Sequence, residues 1–168
     1  MGISVFPAPS AASKTRFLAT LTSGTSWTVP AGVTYVIATL FGGGGGGGAG
    51  GNNATPGSTG GTTTFTGATS AVGGVGGPAQ SRDTSYAGNA AGANSNLGGQ
   101  GATRSDGGNS TGAAEIGQRG MIISTQVSTT PGSTISYSIG AGGNAGTSGD
   151  GSNGGAGGSG RIEIEYWA

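Results

Sequence analysis

Residues Gly42 to Gly48 are seven consecutive glycines. No other feature narrows the possible folds of this chain so sharply. Such a run has no side chains to pack. Ordering an average residue costs about 1–2 kcal/mol of backbone entropy, and glycine costs more. The run therefore stays unfolded or is held by backbone hydrogen bonds at high density. It follows a strand. In "GVTYVIATLF" Val33, Tyr35, Ile37 and Phe41 fall on one face and Val36, Ala38 and Leu40 on the other, so the strand is apolar on both sides.

Glycine spacing elsewhere favours ordered backbone. "GGVGG" (Gly73–Gly77) and "GGAGGSG" (Gly154–Gly160) keep two glycines in every three positions. Three residues per turn is the period of a polyproline-II helix. Built from glycine, such a helix can approach neighbours on every side and bond to them laterally. The spacing predicts Gly42–Gly48 as the interior strand of a polyglycine-II-like bundle, spanning roughly 20 Å at about 3.1 Å per residue. A flexible linker and an ordinary sheet with glycine-rich loops are the alternatives. Collagen is excluded, because no strict Gly-X-Y register is kept.

Apolar residues are placed unevenly. Only five large ones lie among the 74 residues from Gly42 to Glu115. The two ends of the chain hold the rest and carry the strand patterns. Phe17, Ala19 and Leu21 alternate in "TRFLATL", as do Trp27 and Val29 in "SWTVP". "MIISTQV" and "TISYSIG" are joined by the Pro131-Gly132 turn signal. "RIEIEYW" closes the chain with Ile162, Ile164 and Tyr166 on one face. No window supports an amphipathic helix. The expected fold is all-β: an antiparallel sandwich built from both chain ends over residues 14–168, with a glycine-rich insert at 42–115 and polar loops. Residues 1–13, "MGISVFPAPSAAS", read as an extended attachment arm whose Ile3, Val5 and Phe6 seek a partner surface.

Chemistry is sparse. The chain has no cysteine and no histidine, so a disulfide framework and a Cys/His zinc site are excluded. Six basic residues balance six acidic ones, and a neutral surface without a basic stripe argues against nucleic acid. GxGxxG matches arise from composition and lack a strand–loop–helix context. "GDGSNGG" lacks the closing bidentate carboxylate of a calcium loop. Glu163 and Glu165 are the closest acids, about 7 Å apart on an exposed strand face rather than in a cleft. No enzyme activity, cofactor or metal is expected. No basic segment followed by an apolar core opens the chain, so no signal peptide is expected. No run approaches transmembrane length.

The order "WTVPAGVTYVIATLFGGGGGGGAGG", then short glycine motifs, then "TPGSTISYSIGAGGNAG" and "GGAGGSGRIEIEY" resembles the glycine-rich domains of bacteriophage tail fibre and virion proteins. It covers about residues 25–167. More distantly it is similar to the tip adhesins of T-even long tail fibres, which carry a longer N-terminal attachment domain than the roughly 25 residues found here. The resemblance implies a virion surface protein, made in the host cytoplasm, that contacts a host glycan or outer-membrane protein. Its arm would meet other virion proteins. It would be a homo-oligomer, a trimer foremost, or a monomer capping a trimeric fibre. Host contacts would come from loops between glycine motifs: Pro78–Asn89, Gly92–Gly108 and Ser110–Gly120. These hold Arg82, Asp83, Tyr86, Asn94, Asn96, Arg104, Asp106 and Arg119, and Tyr, Asn, Ser and Gly are common in adaptable binding loops. Two other functions fit the residues: an architectural virion part without a receptor, such as a head decoration or fibre connector, and an ice-binding protein presenting a face such as "GGTTTFTGAT" (Gly60–Thr69).

Overall fold

A computed structural model describes residues 14–51, 53–79, 116–149 and 153–168, with the backbone of 86–87 and 103–104. The described residues contain no helix, and their strands pair antiparallel. Strands β1 (Arg16–Leu21), β3 (Tyr35–Phe41), β7 (Ile122–Ser128) and β9 (Arg161–Trp167) form one sheet in the order β1-β9-β3-β7. Strands β2 (Ser26–Thr28), β4 (Thr64–Phe65) and β8 (Thr134–Ser138) form a second in the order β2-β8-β4. Two short strands, β5 (Tyr86–Ala87) and β6 (Thr103–Arg104), pair with each other. The Pro131-Gly132 turn, with Gly132 at φ 79°, carries the chain from β7 in one sheet to β8 in the other.

Period-two alternation sets the core. Val36, Ala38 and Leu40 of β3 and Ile162 and Ile164 of β9 are fully buried. They meet Val29, Val33, Phe65, Val127 and Tyr137. Each valine, leucine or isoleucine side chain buried in this way contributes about 1.5–3 kcal/mol. Trp27 lies against Phe65 and Tyr166, at 6.5 and 5.9 Å between ring centroids. Tyr137 is buried with its hydroxyl donating to the Ser23 carbonyl at 2.7 Å, so its polar atom is paired.

Beyond Phe41 the chain continues straight into the glycine run, where every residue from Gly42 to Gly48 is buried. Its hydrogen bonds repeat every three residues. The N–H groups of Gly42 and Gly45 donate to Met121 and Gln118. Those of Gly43 and Gly46 donate to Gly61 and Ser58, and those of Gly44 and Gly47 to Gly158 and Gly155. These three neighbours run antiparallel to it. The carbonyls of Gly43 and Gly46 accept from Gly74 and Gly77, and those of Gly44 and Gly47 from Gly143 and Gly146; these two neighbours run parallel. The surrounding segments also bond to each other, as in Gly57 to Gly77, Ser58 to Asn144 and Gly157 to Gly143. Each bond is 2.7–3.0 Å long. Burial in residues 72–79 and 141–147 likewise cycles through exposed, intermediate and buried, so one residue per turn faces outward.

The three-residue period is the one that the glycine spacing predicts. The participating segments are wider than the 42–115 insert, because 116–121, 140–147 and 153–160 all take part. One expectation is corrected. Gly120, read above as the end of a loop, is buried, and a Cβ added there would collide with the Gly42 carbonyl. Gly117 and Gly120 are three apart and face the central strand, so 116–121 is a packed segment and not a loop.

Candidate functional site

The layout of the chain selects one end of the molecule. β3 runs from Tyr35 toward the glycine segments, and Lys14 and Ala168 lie at the opposite end, where Thr15 and Ala168 bond to each other. The central strand ends near Ala49, whose N–H donates to Thr55. Thr55 in turn bonds to Thr147, and Gly154 to Gly146. The described ends of three connections, Ala49 and Thr55, Pro78 and Ile116, and Thr147 and Gly154, therefore all lie at the end remote from Lys14 and Ala168.

Local chemistry shapes the described parts of these connections. Asn53 adopts a left-handed conformation with φ 53°, which asparagine tolerates better than most residues. The Asn153 side-chain carbonyl accepts from the Ser148 N–H at 2.9 Å, closing the third connection. The Thr55 hydroxyl accepts from the Thr147 N–H at 2.8 Å, and the Ser58 hydroxyl accepts from the Asn144 N–H at 2.7 Å. Short polar side chains thus seal the seam between two segments near this end. On the other flank Val72, Val75, Ile116 and Met121 are exposed, on two segments joined by the Gln118–Val75 and Met121–Val72 bonds.

The sequence-derived candidates separate into three groups. Arg82, Asp83, Asn94, Asn96 and Asp106 lie outside the described residues, as does the arm 1–13. Tyr86 and Arg104 are register partners, because β5 and β6 place their Cα positions opposite each other. Nothing in the sequence signals that pairing across 18 residues. Arg119 is a correction. It is exposed, but it sits on the side of the packed segment 116–121 and not in a loop, because Gly117 and Gly120 hold that segment against the central strand. Sequence reasoning overlooked the connections at 49–55 and 147–154. Their signal is the phase of the flanking glycines, which brings both to the end reached by 78 and 116.

The carboxylates on β9 are tied up. Glu165 pairs with Arg16 and Glu163 with Arg161, the latter at 2.8 Å. The Arg16 hydrogen bond holds the Glu165 carboxyl below its ordinary value and raises the guanidinium in return. Arg161 also lies 3.6 Å from the centroid of the Phe41 ring. A hollow of about 420 Å³ where the sheets meet the glycine segments is lined by Thr22, Ser23, Thr25, Ser138 and Ser159. It offers hydroxyls but no acid, base or aromatic ring. Among the described residues, no cluster of three or more acids could hold a metal ion, and no helix is long and apolar enough to cross a membrane. Thr64 and Thr66 bond across to β8, at Ser138 Oγ (2.7 Å) and the Ser136 carbonyl (3.0 Å); these two threonines belong to the sheets rather than to an outer face of the glycine segments.

No protein-family model matches the chain, and no curated protein matches it.

Proposed function

We propose that the protein is a bacteriophage fibre component that contacts the host surface through the connections remote from its termini. The observation carrying this reading is the polarity of the chain. Lys14 and Ala168 lie at one end, and the described ends of three connections between glycine segments lie at the other. This arrangement suits an attached protein that must reach a surface. The glycine segments serve as a stiff spacer whose outward side chains are not part of the interior packing. Recognition without a pocket or cofactor rests on shape and hydrogen bonding, and surface sugars suit that mode. Tyr86 and Arg104, backbone register partners in one such connection, are its aromatic and guanidinium candidates. Many copies on one particle raise affinity by avidity, so each copy needs only weak binding.

The test uses the purified full chain, fluorescently labelled, on a panel of bacteria differing in surface polysaccharide. Binding confined to particular strains is expected. The double variant Tyr86→Ala/Arg104→Ala should lose that binding with its melting temperature unchanged. Absence of binding to every strain, with normal incorporation into particles, would favour a purely architectural virion part.

A further inference from the structure

Strand β1 borders its sheet among the described residues, and its ladder with β9 shows which backbone groups face outward. Thr15 and Ala168 exchange both N–H···O=C bonds, at 2.9 and 3.1 Å. Alternation along an antiparallel pair then makes Phe17↔Tyr166, Ala19↔Ile164 and Leu21↔Ile162 the hydrogen-bonded partners. The N–H and C=O groups of Arg16, Leu18 and Thr20 point away from β9. Among the described residues, no strand pairs with that side. The edge lacks the usual guards, since its register is unbroken by a bulge and it holds no proline. Arg16 is already engaged by Glu165. Leu18 is 60% exposed and Phe17 43%, so the edge presents apolar side chains as well as spare hydrogen-bonding groups.

Thirteen residues precede Lys14. The chain enters β1 already extended, because Thr15 is part of the ladder. Ile3–Phe6, "ISVF", has the β-branched and aromatic composition of a strand. Pro7–Ser13, "PAPSAAS", separates it from the domain. Pro7 and Pro9 fix their own φ and keep Phe6 and Ala8 extended. No glycine, asparagine or aspartate between Ile3 and Lys14 supplies the left-handed backbone position of a tight hairpin turn. In sequence, a strand-forming segment is thus followed by seven residues that span about 20 Å when extended, enough to carry it beyond its own β1.

We infer that Ile3–Phe6 of one copy adds as an antiparallel strand to the free edge of β1 in a second copy. Setting Val5 opposite Leu18 places Phe6 opposite Phe17 and Ile3 opposite Thr20. Val5 then covers Leu18 on one face, and Phe6 extends the stacked Phe17–Tyr166 pair (5.4 Å between centroids) on the other. Backbone bonds supply affinity and alternate side chains supply the fit. Arm-to-edge contact is heterologous, so it closes a ring when the rotation between copies permits. The inference does not depend on host recognition.

Sedimentation of the full chain tests it. The expected mass is a multiple of 15.6 kDa, falling to a single chain on deletion of residues 1–13. Leu18→Pro should do the same, because it removes an N–H facing the free edge and leaves the donors to β9 intact. Should that variant fail to fold, a synthetic peptide of residues 1–13 added to the deleted protein is the second measurement. It is expected to bind and to slow amide exchange at Arg16, Leu18 and Thr20. A monomeric full chain overturns the inference, whether or not its arm lies on its own edge. So does an oligomer that survives the deletion, or a peptide that leaves those amides unprotected.

Discussion

Gly45 shows how little room the interior strand leaves. A Cβ built there would lie well inside van der Waals contact with the Val75 carbonyl, and the same holds at Gly46 against Asn144. By contrast, nothing lies within 4 Å of a Cβ added to Gly149. Gly45→Val should therefore destabilise by at least the ~1–3 kcal/mol typical of overpacked cores, while Gly149→Val should melt near the parent. Equal melting temperatures would place Gly45 outside the packed interior. Glu165 makes a smaller prediction. Its carboxyl is held below the ordinary value of 4.5 by Arg16, so the folded state binds that proton less readily than the unfolded state. The stability from the pair is present above pH 4.5 and is lost as the pH falls below it. Arg16 is 63% exposed on its side chain, so the contribution is small. Glu165→Gln should flatten the acid limb of a melting-temperature profile and leave the neutral region almost unchanged.

Among the elements, the joint between sheets and glycine segments depends on one side chain. Thr63 is completely buried. Its hydroxyl donates to the Phe41 carbonyl at 2.7 Å and accepts from the Gly140 N–H at 2.9 Å. It thereby ties the start of the central strand to a parallel neighbour. Thr63→Val keeps the shape and leaves the Gly140 N–H without its acceptor, so a loss of about 1–3 kcal/mol is expected, measurable by chemical denaturation. Thr63 could not be singled out from sequence, since it lies among threonines in "GGTTTFTGAT" and its partners are distant in the chain. The strands themselves were legible, because alternation in "YVIATLF" and "RIEIEYW" reports directly on a half-buried or buried face. Gly42–Gly48 was legible because a side-chain-free run admits few solutions. The segment 116–121 was not, since two glycines three apart among Gln118, Arg119 and Met121 resemble a loop until the central strand is in place. Of the candidate site, sequence supplied residue types but not their grouping. The β5–β6 pairing that sets Tyr86 opposite Arg104, and the convergence of 49–55 and 147–154, depend on tertiary packing.

Across the whole molecule, stability divides between a modest apolar core and a lattice of backbone bonds, and the two should fail differently. Amide exchange is expected to be slowest in Gly42–Gly47 and in β3 and β9, and fast at Leu18 in any copy whose edge is unpaired. Glycine amides exchanging as freely as those of the Pro131-Gly132 turn would contradict the lattice. The buried run also bears on heredity. Repeated codons gain and lose units when replication slips. A glycine gained within Gly42–Gly48 leaves every interior position occupied by glycine and passes the surplus into the connection after it, so the folded protein should tolerate it. A glycine lost moves Ala49 into the place of Gly48, where a Cβ meets the Pro78 carbonyl. Lineages of this protein should therefore lengthen the run more readily than they shorten it.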